Sequence, residues 1–356
     1  MSNRQLVRRS VLSGGAAATL ALAGVTGRAQ AAPLPAATVA ARRKFFGTAN
    51  VAPSGAVRRD RVILSWFGVT NFALAIDGHV VLLDAWVPRG AYSNLVPTSP
   101  EELAALRPSH VFIGHGHFDH AADAGEIAAA SGAVVVGTAA HCDQIAGQAP
   151  GPIRTRPLPL TAVGARTDLR LGRRVRIMAI QHVHSAAQAP DGEHAPLLPP
   201  PDLAPVLTHP PTVEDLLGLL AHQTDQEGGT LLYRFQVGRF SLLWNDSAGP
   251  IRDHPVVVDQ LAALPRTTVH VGAIQGFGQL TNGLRDPLDY VRAVRPRIFV
   301  PSHHDNWTPP VSSPAAGYEQ PLRDGLAEIP AATRPALRFI ADPTDYVRPS
   351  RLTFPA

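Results

Sequence analysis

Six consecutive residues, His115-Gly116-His117-Phe118-Asp119-His120, constrain this chain more than any other stretch of it. They follow the apolar run His110-Val111-Phe112-Ile113-Gly114, which reads as a buried strand stopped by glycine. Imidazole and carboxylate are the donors that borderline cations such as zinc prefer. Two histidines two residues apart can converge on one ion, while the aspartate and the third histidine, further round the turn, reach a second. The cluster therefore reads as a metal site built where a strand runs out. Cys142 is the only cysteine in 356 residues, so an intramolecular disulfide and a cysteine-rich zinc module are both excluded. Nitrogen and oxygen must hold the metal.

Hydrophobic residues make up 45% of the chain and charged residues 17%, enough apolar material for a substantial core. The formal charge of +4 does not by itself mark a nucleic-acid binder. Lys44 is the only lysine, the arginines are scattered without a dense block, and no aromatic-basic repeat tracks a strand of nucleic acid. Nucleic acid is not an expected partner.

The first 31 residues read as a twin-arginine signal peptide: Arg8-Arg9-Ser10-Val11-Leu12, an uncharged Gly/Ala/Leu stretch from Ser13 to Gly27, then Ala29-Gln30-Ala31. Val11 stands where phenylalanine is favoured and Ser13 where lysine is. The apolar stretch is shorter than the ~20 residues a spanning helix needs. The expectation is an exported protein, periplasmic or extracellular, with the twin-arginine machinery as a partner and no stable membrane span. Residues 32–58, rich in Ala, Pro and Arg, read as a linker, and residues 59–350 as the folded domain.

Along that domain, residues 61–67 and 72–76 read as strands, and Asp77-Gly78 as the hairpin turn into a third, 79–83, that ends at Asp84. Ser99-Pro100-Glu101-Glu102 is a capping box opening a helix to about residue 106. Helices are expected over 121–130 and 139–146, the second carrying His141 and Cys142 as structural residues. A strand at 173–180 runs into Gln181-His182-Val183-His184-Ser185; the two histidines share a face of an extended strand, and at least one is expected to bind metal. Residues 186–229 break the pattern. They hold eight prolines between Pro190 and Pro211 and a helix at 213–222, and they read as a lid beside the site, with His194, His209 and His222 at the surface. Strands follow at 230–237 and 239–244, ending at Asn245-Asp246-Ser247, then a helix after Pro255, a strand at 267–271, a glycine-rich stretch at 272–283 and a helix at 286–294. The last strand runs into Pro301-Ser302-His303-His304-Asp305.

Five times a metal-capable or carboxylate residue sits where an apolar strand runs out: Asp84, the His115 cluster, His182/His184, Asp246 and His303/His304. Strand ends of this kind gather at one edge and build a single site. The order and spacing resemble the metallo-β-lactamase-fold superfamily over roughly residues 60–345, and most specifically its lactonase-like and N-acyl-phosphatidylethanolamine phospholipase-like hydrolases. That resemblance implies an α/β fold of the α+β type, a four-layer αββα sandwich with the site along one edge of the packed sheets. It also implies two zinc ions per chain, iron or manganese being alternatives. His115, His117 and a third-motif histidine would bind the first metal. Asp119, His120 and a last-motif histidine would bind the second, with Asp246 bridging both. His184 is chosen for the third motif because His184-Ser185 resembles the family's form, with His182 as rival. His303 is chosen for the last because Pro301-x-His303 has the family-like spacing, with His304 as rival.

The implied function is an exported dinuclear hydrolase whose metal-bridging hydroxide attacks an ester, lactone or phosphodiester of a small-molecule substrate. Asp119 would hold metal and orient the nucleophile, and Asp84 would hydrogen-bond a ligand or its loop. Ala121-Ala122 replaces the Gly-Gly of glyoxalase II-like members, which counts against that substrate. A non-catalytic metal- or ligand-binding protein on the same fold is the alternative. A di-iron oxidoreductase with a flavin partner domain fits less well, because such members resemble H-x-E-x-D, residue 117 is histidine, and no room remains for a flavodoxin-like domain.

Overall fold

A computed structural model describes residues 34–356 except 91, 93, 94, 198, 209, 214–216, 218, 219, 223, 310 and 311. The expected export signal and His209 lie outside the described residues, as does part of the helix expected at 213–222. Ordered structure begins earlier than the sequence suggested. Residues 32–58 were expected as a linker, yet Ala36–Phe46 is a helix that buries Thr38, Ala41, Phe45 and Phe46. The 3- and 4-residue spacing of Thr38, Ala41 and Phe45 is a helical stripe, hidden in a segment whose Ala/Arg content looked like a spacer.

The first half of the chain supplies β1 (Arg61–Trp66), β2 (Phe72–Ile76), β3 (His79–Leu83), β4 (His110–Phe112), β5 (Val134–Gly137) and β6 (Arg154–Pro157). The second half supplies β7 (Arg166–Leu171), β8 (Val175–His182), β9 (Thr230–Val237), β10 (Phe240–Asn245), β11 (Val269–Ala273), β12 (Ile298–Ser302) and β13 (Ala336–Leu337). The last strand is β14 (Thr353–Pro355). Among the described residues they form two seven-stranded sheets, ordered β14-β1-β2-β3-β4-β5-β6 and β13-β12-β11-β10-β9-β8-β7. Each sheet changes from antiparallel to parallel pairing at one strand, β3 in the first and β10 in the second. Asp77 and Gly78 both have positive φ, 47° and 79°, the backbone that the tight β2–β3 hairpin requires.

The main core lies between the sheets: Phe112 of β4 meets Tyr233 and Phe235 of β9 with ring centroids 5.3 and 5.2 Å apart. Met178, Ile180, Leu232 and Leu243 point out of the second sheet against Leu261 and Val257 of the helix Pro255–Ala262 and Val294 of the helix Arg285–Val294. Ser99 caps the helix Pro100–Ala105, accepting from the Glu102 amide at 3.3 Å. Helices thus flank two mixed sheets in the αββα arrangement. The glycine-rich stretch 272–283 contains the short helix Phe277–Asn282, and Ala316–Ala327 is helical despite Pro321.

His141 ties the end of the 186–229 segment to this frame. Its Nδ1 accepts from the Thr138 amide at 3.2 Å, and its Nε2 faces the Glu227 carbonyl at 2.8 Å, which fixes a neutral ring donating from Nε2. Burial lowers its pKa to about 4, opposed by the carbonyl of Glu227. In the unfolded chain the ring titrates near ~6.5, so between these values the unfolded state binds more protons. Stability is therefore lost as pH falls from ~6.5 towards 4. Lowering pH from 7 to 5 should reduce unfolding free energy by roughly 1–2 kcal/mol more in the natural protein than in His141→Gln, read from urea midpoints; equal losses would contradict the assignment.

Candidate metal centre

All five chemistry-bearing strand ends meet at one edge. Gly114 follows β4, and a Cβ there would lie 2.1 Å from the Asp246 carboxylate, so only glycine lets the two strand ends approach. His115 Nε2 lies 3.1 Å from His117 Nδ1 and 3.2 Å from His184 Nε2. Beside this trio, Asp119 Oδ2 lies 3.3 Å from His120 Nε2 and 3.4 Å from His303 Nε2. The His115 and His120 rings are only 3.9 Å apart, so the two groups adjoin.

The other faces of these rings are held. His115 Nδ1 donates to Asp246 Oδ2 at 2.7 Å, and His120 Nδ1 to Asp84 Oδ2 at 2.8 Å. Asp246 Oδ2 is also 3.4 Å from His120 Nδ1. Asp84 further accepts from the Thr70 hydroxyl and the Gly114 amide, both at 2.9 Å, so one carboxylate fixes a ring and the loop that carries the motif. A carboxylate behind an imidazole sets its tautomer and aims the opposite nitrogen at a metal.

The residues fit a cation. His120 Nε2 and Asp246 Oδ1 are buried without hydrogen-bond partners among the described residues. Three imidazole nitrogens within 3.2 Å of His115 Nε2 or at it cannot all be satisfied by shared protons. Burial pushes the pKa values of His115 and His117 down and that of His184 to about 4, leaving neutral lone pairs. Burial also opposes charge on His120, yet Asp119 and Asp84 outweigh it and raise its pKa well above the ordinary value. The pocket calls for positive charge, which a metal supplies.

His182 lies elsewhere, buried with Nδ1 2.7 Å from the Tyr290 hydroxyl. His304 stacks on Trp66 and reaches the Ile340 carbonyl at 2.8 Å. His194 and His222 each pair with a local aspartate, Asp191 and Asp225. The end of the 186–229 segment touches the motif directly, its Glu227 carbonyl accepting from the Gly116 amide at 2.8 Å.

Residues not singled out from sequence also shape the site. Thr70 hydrogen-bonds both Asp84 and His120 Nδ1. Asp305 anchors the Thr70 loop by accepting from the Val69 amide at 3.0 Å. Trp86, Tyr92, Phe118 and Trp307 form an aromatic wall, with Trp86 centroids 4.9, 5.5 and 5.7 Å from the other three, and Trp307 is 5.7 Å from His303. Tyr92 Oη and Trp307 Nε1 are buried without partners among the described residues. The only sequence signal was proximity: Trp86 is two residues past Asp84 and Trp307 four past His303.

The family model of the metallo-β-lactamase superfamily matches residues 65–218, which include the motif and His184. The two mixed sheets flanked by helices agree with the sandwich fold of that superfamily. Over 130 residues it is 35% identical to a UPF0173 metal-dependent hydrolase of Pyrobaculum neutrophilum, covering 36% of this chain and 54% of the relative. A second relative, from Pyrobaculum calidifontis and of the same description, is 33% identical over 130 residues, again 36% of this chain and 54% of the relative. The matched part of the chain thus spans about half the length of these relatives. Igni18, a metallo hydrolase from Ignicoccus hospitalis, shares the fold at a TM-score of 0.52 and 15% identity, over 79% of this chain and 95% of its own.

His184→Ala should lower the metal content of the purified protein more than His182→Ala does, by elemental analysis; the reverse order would exchange their roles.

Proposed function

We propose that the protein is an exported metal-dependent hydrolase with two cations, zinc in the first instance. The observation that carries this reading is the pair of adjoining donor groups, His115/His117/His184 and Asp119/His120/His303, each backed by a buried carboxylate. His115, His117 and His184 would hold the first ion, and Asp119, His120 and His303 the second. Asp246, whose Oδ1 has no hydrogen-bond partner among the described residues, would contribute to holding both. Nitrogen–oxygen sites of this kind also accept iron or manganese. Two cations ~3.5–4 Å apart, when bound, lower the pKa of a shared water towards neutrality and polarise a substrate oxygen.

The chain's own residues do the rest. Asp119, beside His120 and His303, would help hold the second cation and orient the nucleophile. Asp84, fixing His120 and Gly114, keeps the donors aimed. The aromatic wall offers an apolar face beside His303, which favours an ester or lactone with an apolar group over a negatively charged phosphodiester. The relatives called metal-dependent hydrolases support a hydrolytic reaction.

Metal analysis of the purified protein, with a chromogenic lactone, carboxylic ester, bis-phosphodiester and cephalosporin, tests the reading. About two metals per chain and turnover of the ester or lactone are expected. Metal without turnover of any substrate would favour a non-catalytic binding protein. Asp119→Ala should lower turnover by at least ~100-fold while the protein stays folded by circular dichroism; retained activity would remove the role given to Asp119. Export rests on Arg8-Arg9, and replacing both by lysine should leave the protein in the cytoplasm on fractionation; unchanged export would discard the twin-arginine route.

A further inference from the structure

The arginines that look scattered in sequence are not scattered in space. Arg156 of β6, Arg166 and Arg170 of β7, Arg176 of β8 and Arg234 of β9 line one groove of about 840 Å³. Among the described residues its only carboxylate is Asp168, 3.4 Å from Arg166. The strand register explains the convergence. Arg166, Asp168 and Arg170 alternate onto one face of β7, Arg170 stands directly opposite Arg176, and Arg234 lies across Met178 from Asp168. The turn that follows the helix Pro255–Ala262 forms the far wall through Leu264 and Pro265.

Like charges directly opposite on neighbouring strands destabilise a sheet unless something compensates. Among the described residues lining the groove, five guanidinium groups face one carboxylate, so compensation is partial. Arg234 is the sharpest case. Its residue is only 8% exposed, one guanidinium nitrogen donates to Gln236 at 3.0 Å, and Nε is buried without a partner among the described residues. Burial, then the charges of Arg176 and Arg166, lower its pKa. An anion would neutralise the cluster and take up that unused donor. The planar guanidinium fork matches phosphate oxygens two at a time.

We infer that this groove binds a small phosphate-bearing anion, at a site separate from the metal centre. Along β8, Arg176 is six residues from His182, roughly 20 Å at ~3.3 Å per residue. The volume suits a small molecule rather than a flat surface contact. Among the described residues no aromatic side chain lines the groove, so no stacking platform of the kind single-stranded nucleic acid uses is found there. The inference does not depend on the hydrolase reading.

Inorganic pyrophosphate is the probe, titrated calorimetrically into the purified full chain at constant ionic strength. The comparison is Arg170→Ala/Arg176→Ala, two exposed positions outside the metal centre. Pyrophosphate also binds metals, so only the part of the signal lost in this variant belongs to the groove. The expected result is an at least tenfold weaker pyrophosphate affinity in the variant, with metal content unchanged. Superimposable isotherms would overturn the site. Binding of a single-stranded oligonucleotide more tightly than pyrophosphate, and equally dependent on Arg170 and Arg176, would overturn the small-anion assignment.

Discussion

The buried carboxylate of Asp84 is the interaction on which the site most depends. It has no exposure to solvent and sits at a strand end with φ of 55°, a conformation uncommon outside glycine. Three donors converge on it: the Thr70 hydroxyl, the Gly114 amide and His120 Nδ1. Through them the β1–β2 turn, the end of β3 and the loop after β4 become one rigid piece. Removing one partner of such a buried charged pair commonly costs ~3–5 kcal/mol, because the other charge is left unpaired. The same bonds fix the His120 ring, so the interaction that braces the fold also orients a donor of the candidate metal centre.

The architecture repeats this device. Asp84 follows β3 and Asp246 follows β10, and each of these strands is where its sheet changes from antiparallel to parallel pairing. The two carboxylates reach His120 Nδ1 from the two sheets, at 2.8 and 3.4 Å. Both are buried, and burial raises the pKa of each, with the neighbouring Asp84 charge adding to the effect on Asp246. Facing carboxylates of this kind need compensating positive charge. The histidines supply part of it, and a bound cation would complete it.

The edge that gathers the donors is also where other segments are anchored. Glu227 latches the end of the proline-rich segment to Gly116 and His141, while Asp305 holds the Val69 amide and the Tyr346 hydroxyl. Trp86, Tyr92, Phe118 and Trp307 come from three stretches of chain yet meet beside His303. Distant segments thus share one rim, consistent with a site whose selectivity is set by loops on a rigid frame.

The sequence by itself determined the metal-capable motif, the strand that delivers it, and the run of strand-end carboxylates and histidines, because donor type and apolar periodicity are local properties. It also specified the Ser99 cap and the Asp77-Gly78 turn. Tertiary structure decided the rest. His182 and His184 share a face on an extended strand, but β8 pairs only as far as His182; beyond the ladder His184 faces His115 while His182 stays against Tyr290. His303 and His304 are adjacent in sequence, and a left-handed turn at His303, φ 57°, sends one ring to Asp119 and the other into the core. The helix Ala36–Phe46 was missed because Phe45 and Phe46 gain a reason to be buried only when the sheets are there to cover them. The arginine groove was illegible for the same reason: charges far apart along the chain become neighbours only through strand register.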